Sequence, residues 1–133
     1  MSHHRQVFDA GSSAPAAVGP YSHAVASGGL LFCSGQIPLD PDTNELVGGS
    51  AGEQATRCLQ NLSNVCEAAG TKLADAVRVT VWLTDMGAFA EVNEVYGTFF
   101  ETDPPARVAI AVAALPKGAD VEIDAIVALG GRD

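Results

Sequence analysis

The sequence predicts a mixed α/β fold, α+β in character, with two helices on one face of a mixed sheet in the order β-β-α-β-α-β-β. Three observations carry that expectation. Residues 77–83, VRVTVWL, alternate with the two-residue period of a strand. Residues 50–69 and 86–101 instead repeat their apolar side chains at helical spacing. Residues 104–129 hold two strand-like apolar runs joined by the breaker Leu115-Pro116-Lys117-Gly118. At 133 residues the length suits one domain over residues 1–133, able to bury a core without covalent staples.

Residues 1–14 open a polar, small-residue stretch without periodicity and predict a loose N-terminal arm. His3 and His4 within it are expected to be tail residues rather than a metal pair, since no further ligand lies nearby. Residues 22–27 and 30–35 form a candidate hairpin joined by Gly28-Gly29. His23 in the outgoing strand is expected to be an ordinary hydrogen-bonded histidine. Pro38, residues 40–42 and Asn44 mark a turn, with residues 45–47 as a short extended return. Ser50 and Glu53 fit a capping box, residues Ala55, Leu59, Leu62, Val65 and Cys66 form the buried stripe, and Gly70 stops the helix. Asp85 is the expected N-cap of the second helix, whose stripe is Phe89, Val92, Tyr96, Phe99 and Phe100.

Sixteen acidic against seven basic side chains give a net charge of −9, with no basic cluster. A nucleic-acid partner would need concentrated positive charge, so none is expected. No stretch has the apolar length of a membrane span, and neither a basic n-region nor an apolar h-region opens the chain, which predicts a cytoplasmic protein with no membrane partner. Three cysteines without a C-x-x-C pair fit a reducing compartment. Phosphate-cradling, zinc-protease and nucleophile-elbow motifs are absent from the sequence, and no metal or cofactor is expected.

Strand parity places Arg107, Ala109, Ala111 and Ala113 on one face and Val108, Ile110 and Val112 on the other. In the last run Val121, Ile123, Ala125 and Val127 share a face, with Glu122 and Asp124 opposite, giving way to Ile126 and Ala128. With two helices covering one face of the sheet, the other, assigned Trp82, Ala109, Ala111, Ile126 and Ala128, needs cover. A homo-oligomer with ligand sites along the seam is therefore expected. Arg107 is the distinctive side chain. Taken alone it suits an edge or an intersubunit ion pair as well as a bidentate carboxylate clamp. Glu122 alone suits a solvated strand end, and Asn93 an amide bonded to nearby backbone.

The motifs GPYSHAV at 19–25, SGQIP at 34–38, the helix bearing Asn93, PPARVAI at 104–110 and LPKGADVEIDAIV at 115–127 together resemble the Rid (YjgF-like) family. The resemblance covers nearly the whole chain. It implies a chorismate-mutase-like fold, a homotrimer and active sites between subunits, with no cofactor. It further implies hydrolytic deamination of small 2-imino acids such as 2-iminobutanoate and 2-iminopropanoate to 2-keto acids and ammonia. By the same resemblance Arg107 clamps the substrate carboxylate and Glu122 helps position the attacking water, while Tyr21, Ser34, Gly35 and Asn93 match pocket positions. Ala109 stands where the archetypal member commonly has Cys, and Asn44 where a Gly is frequent. A deaminase for another enamine or imine intermediate, and a trimer that binds small molecules without catalysis, are the alternatives. If the last two strands paired antiparallel with Arg107 opposite Glu122, their Cβ atoms would lie ~4.5–5.5 Å apart. Meeting across a subunit seam is the other arrangement.

Overall fold

The computed structural model describes residues 4–130; His3 lies outside them. The first local expectations follow from backbone chemistry. Strands β2 (Ala24–Ser27) and β3 (Leu30–Gln36) pair antiparallel around Gly28 and Gly29, whose φ values of 62° and 80° suit a two-residue hairpin turn. Helix α1 (Ala51–Ala68) starts at the capping box: Ser50 Oγ accepts from the Glu53 N–H at 3.2 Å, and Glu53 Oε1 accepts from the Ser50 N–H at 2.8 Å. Gly70, at φ 85°, follows its last turn. Asp85 caps a short 3₁₀ turn, Met86–Ala88, that leads into helix α2 (Phe89–Phe99). That helix ends two residues before the predicted boundary at 101.

Two elements differ from the sequence expectation. The arm is not loose over its described length: Gln6–Phe8 form strand β1, paired antiparallel with β2. Beyond it, Ala10 N–H donates to His23 Nδ1 at 2.9 Å, while His23 Nε2 bonds the Pro15 carbonyl oxygen at 2.7 Å. The element order is therefore β-β-β-α-β-α-β-β. Residues 6–14 have no periodicity of their own because their pairing is supplied by β2 and by one buried histidine.

The second difference concerns faces. Strands β4 (Ala76–Leu83), β5 (Ala106–Ala111) and β6 (Val121–Ala128) complete a six-stranded sheet ordered β1-β2-β3-β6-β4-β5. All neighbours are antiparallel except β4 and β5, which are parallel and joined through α2. β5 and β6 do not pair, because β4 lies between them. Val79, Val81, Leu83, Val121, Ile123 and Val127 are buried in the core under the helices. Ala109 also packs against this core, and Val108 and Ile110 stand with Trp82 and Ile126 on the open face. Ala109, and Ala111 two residues on and level with the core residue Leu83, therefore lie on the helix side and not on the open face expected of them. The aromatic side chains of α2 lie over β5, so that strand's small residues face inward and its bulky ones outward.

Candidate functional site

Glu122 sits on the open side of β6, opposite Trp82 of β4. Its neighbour on the other flank is β3, whose register with β6 shifts between Cys33 and Gln36. This irregularity brings Gly35 against the Glu122 carboxylate: a Cβ added at Gly35 would collide with the carboxylate oxygen and come within 3.0 Å of its carbon. The glycine therefore makes room for the acid. A cleft of about 450 Å³ opens beside them, lined on this side by Ser34, Gly35, Glu122 and Tyr21. Ser34 Oγ donates to the Ser22 carbonyl at 2.6 Å, leaving its lone pairs toward further donors. Burial pushes the Glu122 carboxyl above its ordinary range, and the nearby Asp124 charge pushes it the same way. Such a carboxyl suits proton exchange with a water better than an exposed one does.

The opposite wall of the cleft comes from the segment that follows the N-terminal arm. Pro15, Ala16 and Val18 line it, together with Ile37, Leu39 and the breaker residue Lys117. This segment is held there by His23 and by Asn44, whose Oδ1 accepts from the Ala16 N–H at 3.1 Å. Asn44 has φ 61°, the left-handed geometry that asparagine tolerates. Sequence reasoning missed this wall because its residues carry no reactive group. The one available signal was His23, which is buried just ahead of β2.

Arg107 lies elsewhere, on edge strand β5, with its side chain turned toward α2. Arg107 Nη1 donates to Asn93 Oδ1 at 2.6 Å. Its guanidinium carbon lies 5.3 Å from the Phe89 ring centroid and 4.8 Å from that of Tyr96. Among the described residues no carboxylate pairs with it. Asn93, expected at a substrate-contact position, here touches Arg107, and Ala109 follows on the same face with its side chain against the core.

The chain therefore brings Tyr21, Ser34, Gly35 and Glu122 together and keeps Arg107, Asn93 and Ala109 apart from them. Arg107 is level with Val79 on β4 and Glu122 with Trp82, two strands across. Strand spacing and rise then separate their Cα atoms by roughly 14 Å. They also point to opposite faces of the sheet. Among the described residues no group of three or more His, Cys, Asp or Glu side chains is placed to hold a metal ion.

Comparison with known proteins fits this arrangement. The family model described as Endoribonuclease L-PSP matches residues 11–129. A RutC family protein of Sinorhizobium fredii is 54% identical over 118 residues, 89% of this chain and 94% of its own. A Mus musculus protein named 2-iminobutanoate/2-iminopropanoate deaminase is 47% identical over 119 residues, 90% of this chain and 88% of its own. The crystal structure of RidA from an Antarctic Psychrobacter superposes with a TM-score of 0.89 at 45% identity, covering 93% of this chain and 99% of that one. The shared fold, the length of the match and the level of identity lead to one conclusion: the chain belongs to the endoribonuclease L-PSP family, the Rid (YjgF-like) proteins.

Proposed function

We propose that this protein hydrolyses reactive 2-imino acids, of the 2-iminobutanoate and 2-iminopropanoate type, to 2-keto acids and ammonia. The observation that carries the reading is that one chain holds both an Arg107 without a carboxylate partner among the described residues and a half-buried Glu122 beside an open cleft. Arg107 takes the substrate carboxylate through its bidentate fork. Glu122 accepts a proton from a water as that water's oxygen adds to the C=N carbon, giving a carbinolamine. The proton returns to the amine nitrogen, the C–N bond breaks and ammonia leaves. The carbinolamine hydroxyl gives its proton to Glu122, and from there to water or the departing ammonia, as the carbonyl forms. A protonated imine is electrophilic already, so orientation supplies most of what is needed.

Because the two groups face opposite sides of one sheet, the reading includes assembly as a homotrimer, with Arg107 of one copy meeting Glu122 of the next. Support comes from the open face, where Phe32 and Ile110 are each 44% exposed and Trp82, Val108 and Ile126 border a shallow hollow. Such exposed apolar side chains, around a hollow that Arg78, Thr80 and Asp124 also line, favour cover by another copy. Three buried free thiols suit a cytoplasmic setting. The net charge of −9 argues against RNA as substrate, despite the family's name.

The test is a coupled assay in which a pyridoxal-phosphate threonine dehydratase generates the imine. The protein is expected to speed keto-acid release, and Arg107→Ala, still folded, to lose ~10²-fold or more of that acceleration. No acceleration by the parent, or undiminished acceleration by the variant, rejects the assignment.

A further inference from the structure

We propose that Phe89, Asn93 and Tyr96 are positioning residues that hold the Arg107 guanidinium ready for a carboxylate, an inference that rests on the imine-deaminase reading above. The three are spaced four and three residues apart on α2 and so share one face of the helix. An exposed arginine on an edge strand ordinarily samples many rotamers and loses that freedom when it binds. Here the freedom is already restricted. Two aromatic rings lie within cation–π distance of the guanidinium, at 5.3 and 4.8 Å, and one amide oxygen takes Nη1 at 2.6 Å.

The chemistry of the socket matters as much as its shape. All three contacts are neutral, so they orient the cation without cancelling its charge. A carboxylate at position 93 would orient it equally well and then compete with the incoming anion. The bond to Asn93 uses one of five N–H donors and leaves the rest of the fork for a bidentate partner. Tyr96 separates ring from hydroxyl: the residue is 5% exposed, its hydroxyl has no hydrogen-bond partner among the described residues, and its ring faces Arg107. The ring is therefore the working part.

The experiment measures binding of 2-oxobutanoate by calorimetry, and KM and kcat for the imine, in Asn93→Ala, Asn93→Asp, Phe89→Leu and Tyr96→Leu, with thermal unfolding as the check on folding. Asn93→Ala and Phe89→Leu are expected to weaken 2-oxobutanoate binding and raise KM by about 10-fold. Asn93→Asp should weaken both further, by pairing with the guanidinium, although it preserves size; a merely structural role would not produce that order. Tyr96→Leu, which removes the ring that Arg107 lies over, should weaken both by a similar factor. If Asn93→Ala and Phe89→Leu bind like the parent while Arg107→Ala does not bind, the socket is refuted and the deaminase reading stands. If Arg107→Ala binds 2-oxobutanoate like the parent, the clamp and the socket fall together.

Discussion

The edge formed by β5 and α2 and the cleft formed by β3 and β6 each present one charged group, and they treat it in opposite ways. Arg107 is exposed and held by neutral contacts, so its charge is left available. Glu122 is half-buried beside another acid, so its charge is penalised and its carboxyl holds a proton more readily. One region is prepared to receive an anion and the other to exchange a proton. At roughly 14 Å and on opposite faces, they cannot both reach one four-carbon molecule within a single chain. On the proposed reading each surface is half of the site, and a second copy of the chain supplies the other half.

The most severe way to break this comparison is to separate the halves genetically. Arg107→Ala and Glu122→Gln proteins should each be inactive alone. Mixed by joint refolding or co-expression into trimers, they should recover roughly a quarter of parental turnover, the chance that one interface joins an intact Arg107 to an intact Glu122. Turnover of the mixture no higher than that of the two variants would show that both groups act from one copy or that one of them does not act. A smaller effect, confined to the cleft, is expected of Gly35→Ala. The added Cβ must displace the Glu122 carboxylate, at a cost of ~1–3 kcal/mol if the surroundings stay rigid. About 10-fold lower kcat with unchanged 2-oxobutanoate binding would assign the damage to the proton-exchanging half alone. Weaker binding with kcat intact would show that the two regions are not separable.

Much of this was legible in the sequence where the determinants are local. The Gly28-Gly29 turn, the Ser50–Glu53 capping box and the alternation of β4 depend on neighbours a few residues away, and they appear as expected. The facing of β5 was not legible. Parity separates Arg107 and Ala109 from Val108 and Ile110, yet which set lies under a helix depends on the aromatic rings of α2 above it. Nor could the partner of β5 be read, since the crossover through α2 makes it parallel to β4 and leaves β6 out of reach. β1 and the cleft wall from Pro15 to Val18 were hidden because their hydrogen bonds come from β2, His23 and Asn44, all distant in sequence. The family motifs identified Tyr21, Ser34, Gly35 and Glu122, which do converge, but carried no geometry for Arg107 and Asn93.

The finest distinction between the two regions is in their response to pH. If Glu122 acts as the base, the ionised carboxylate is the active form, and kcat/KM should fall on the acid side at a pH above the ordinary carboxylate range. Asp124→Asn removes one of the two causes of that elevation while its amide oxygen can still accept from Trp82 Nε1, the bond that Asp124 Oδ2 makes at 2.9 Å. The acid limb should then move to lower pH, whereas 2-oxobutanoate binding at the Arg107 half should keep its profile. Stability gives an independent check of sign. A carboxyl raised in the folded protein binds its proton more tightly there than in the unfolded chain, so its stabilising contribution is present at low pH and is lost as pH rises through the raised value. Glu122→Gln should therefore gain thermal stability relative to the parent as pH rises from the ordinary glutamate range, about pH 4, through the raised value. An acid limb unmoved by Asp124→Asn, together with a Glu122→Gln stability difference that does not change with pH, would remove Glu122 from the proton-transfer role and leave Arg107 as the one prepared group.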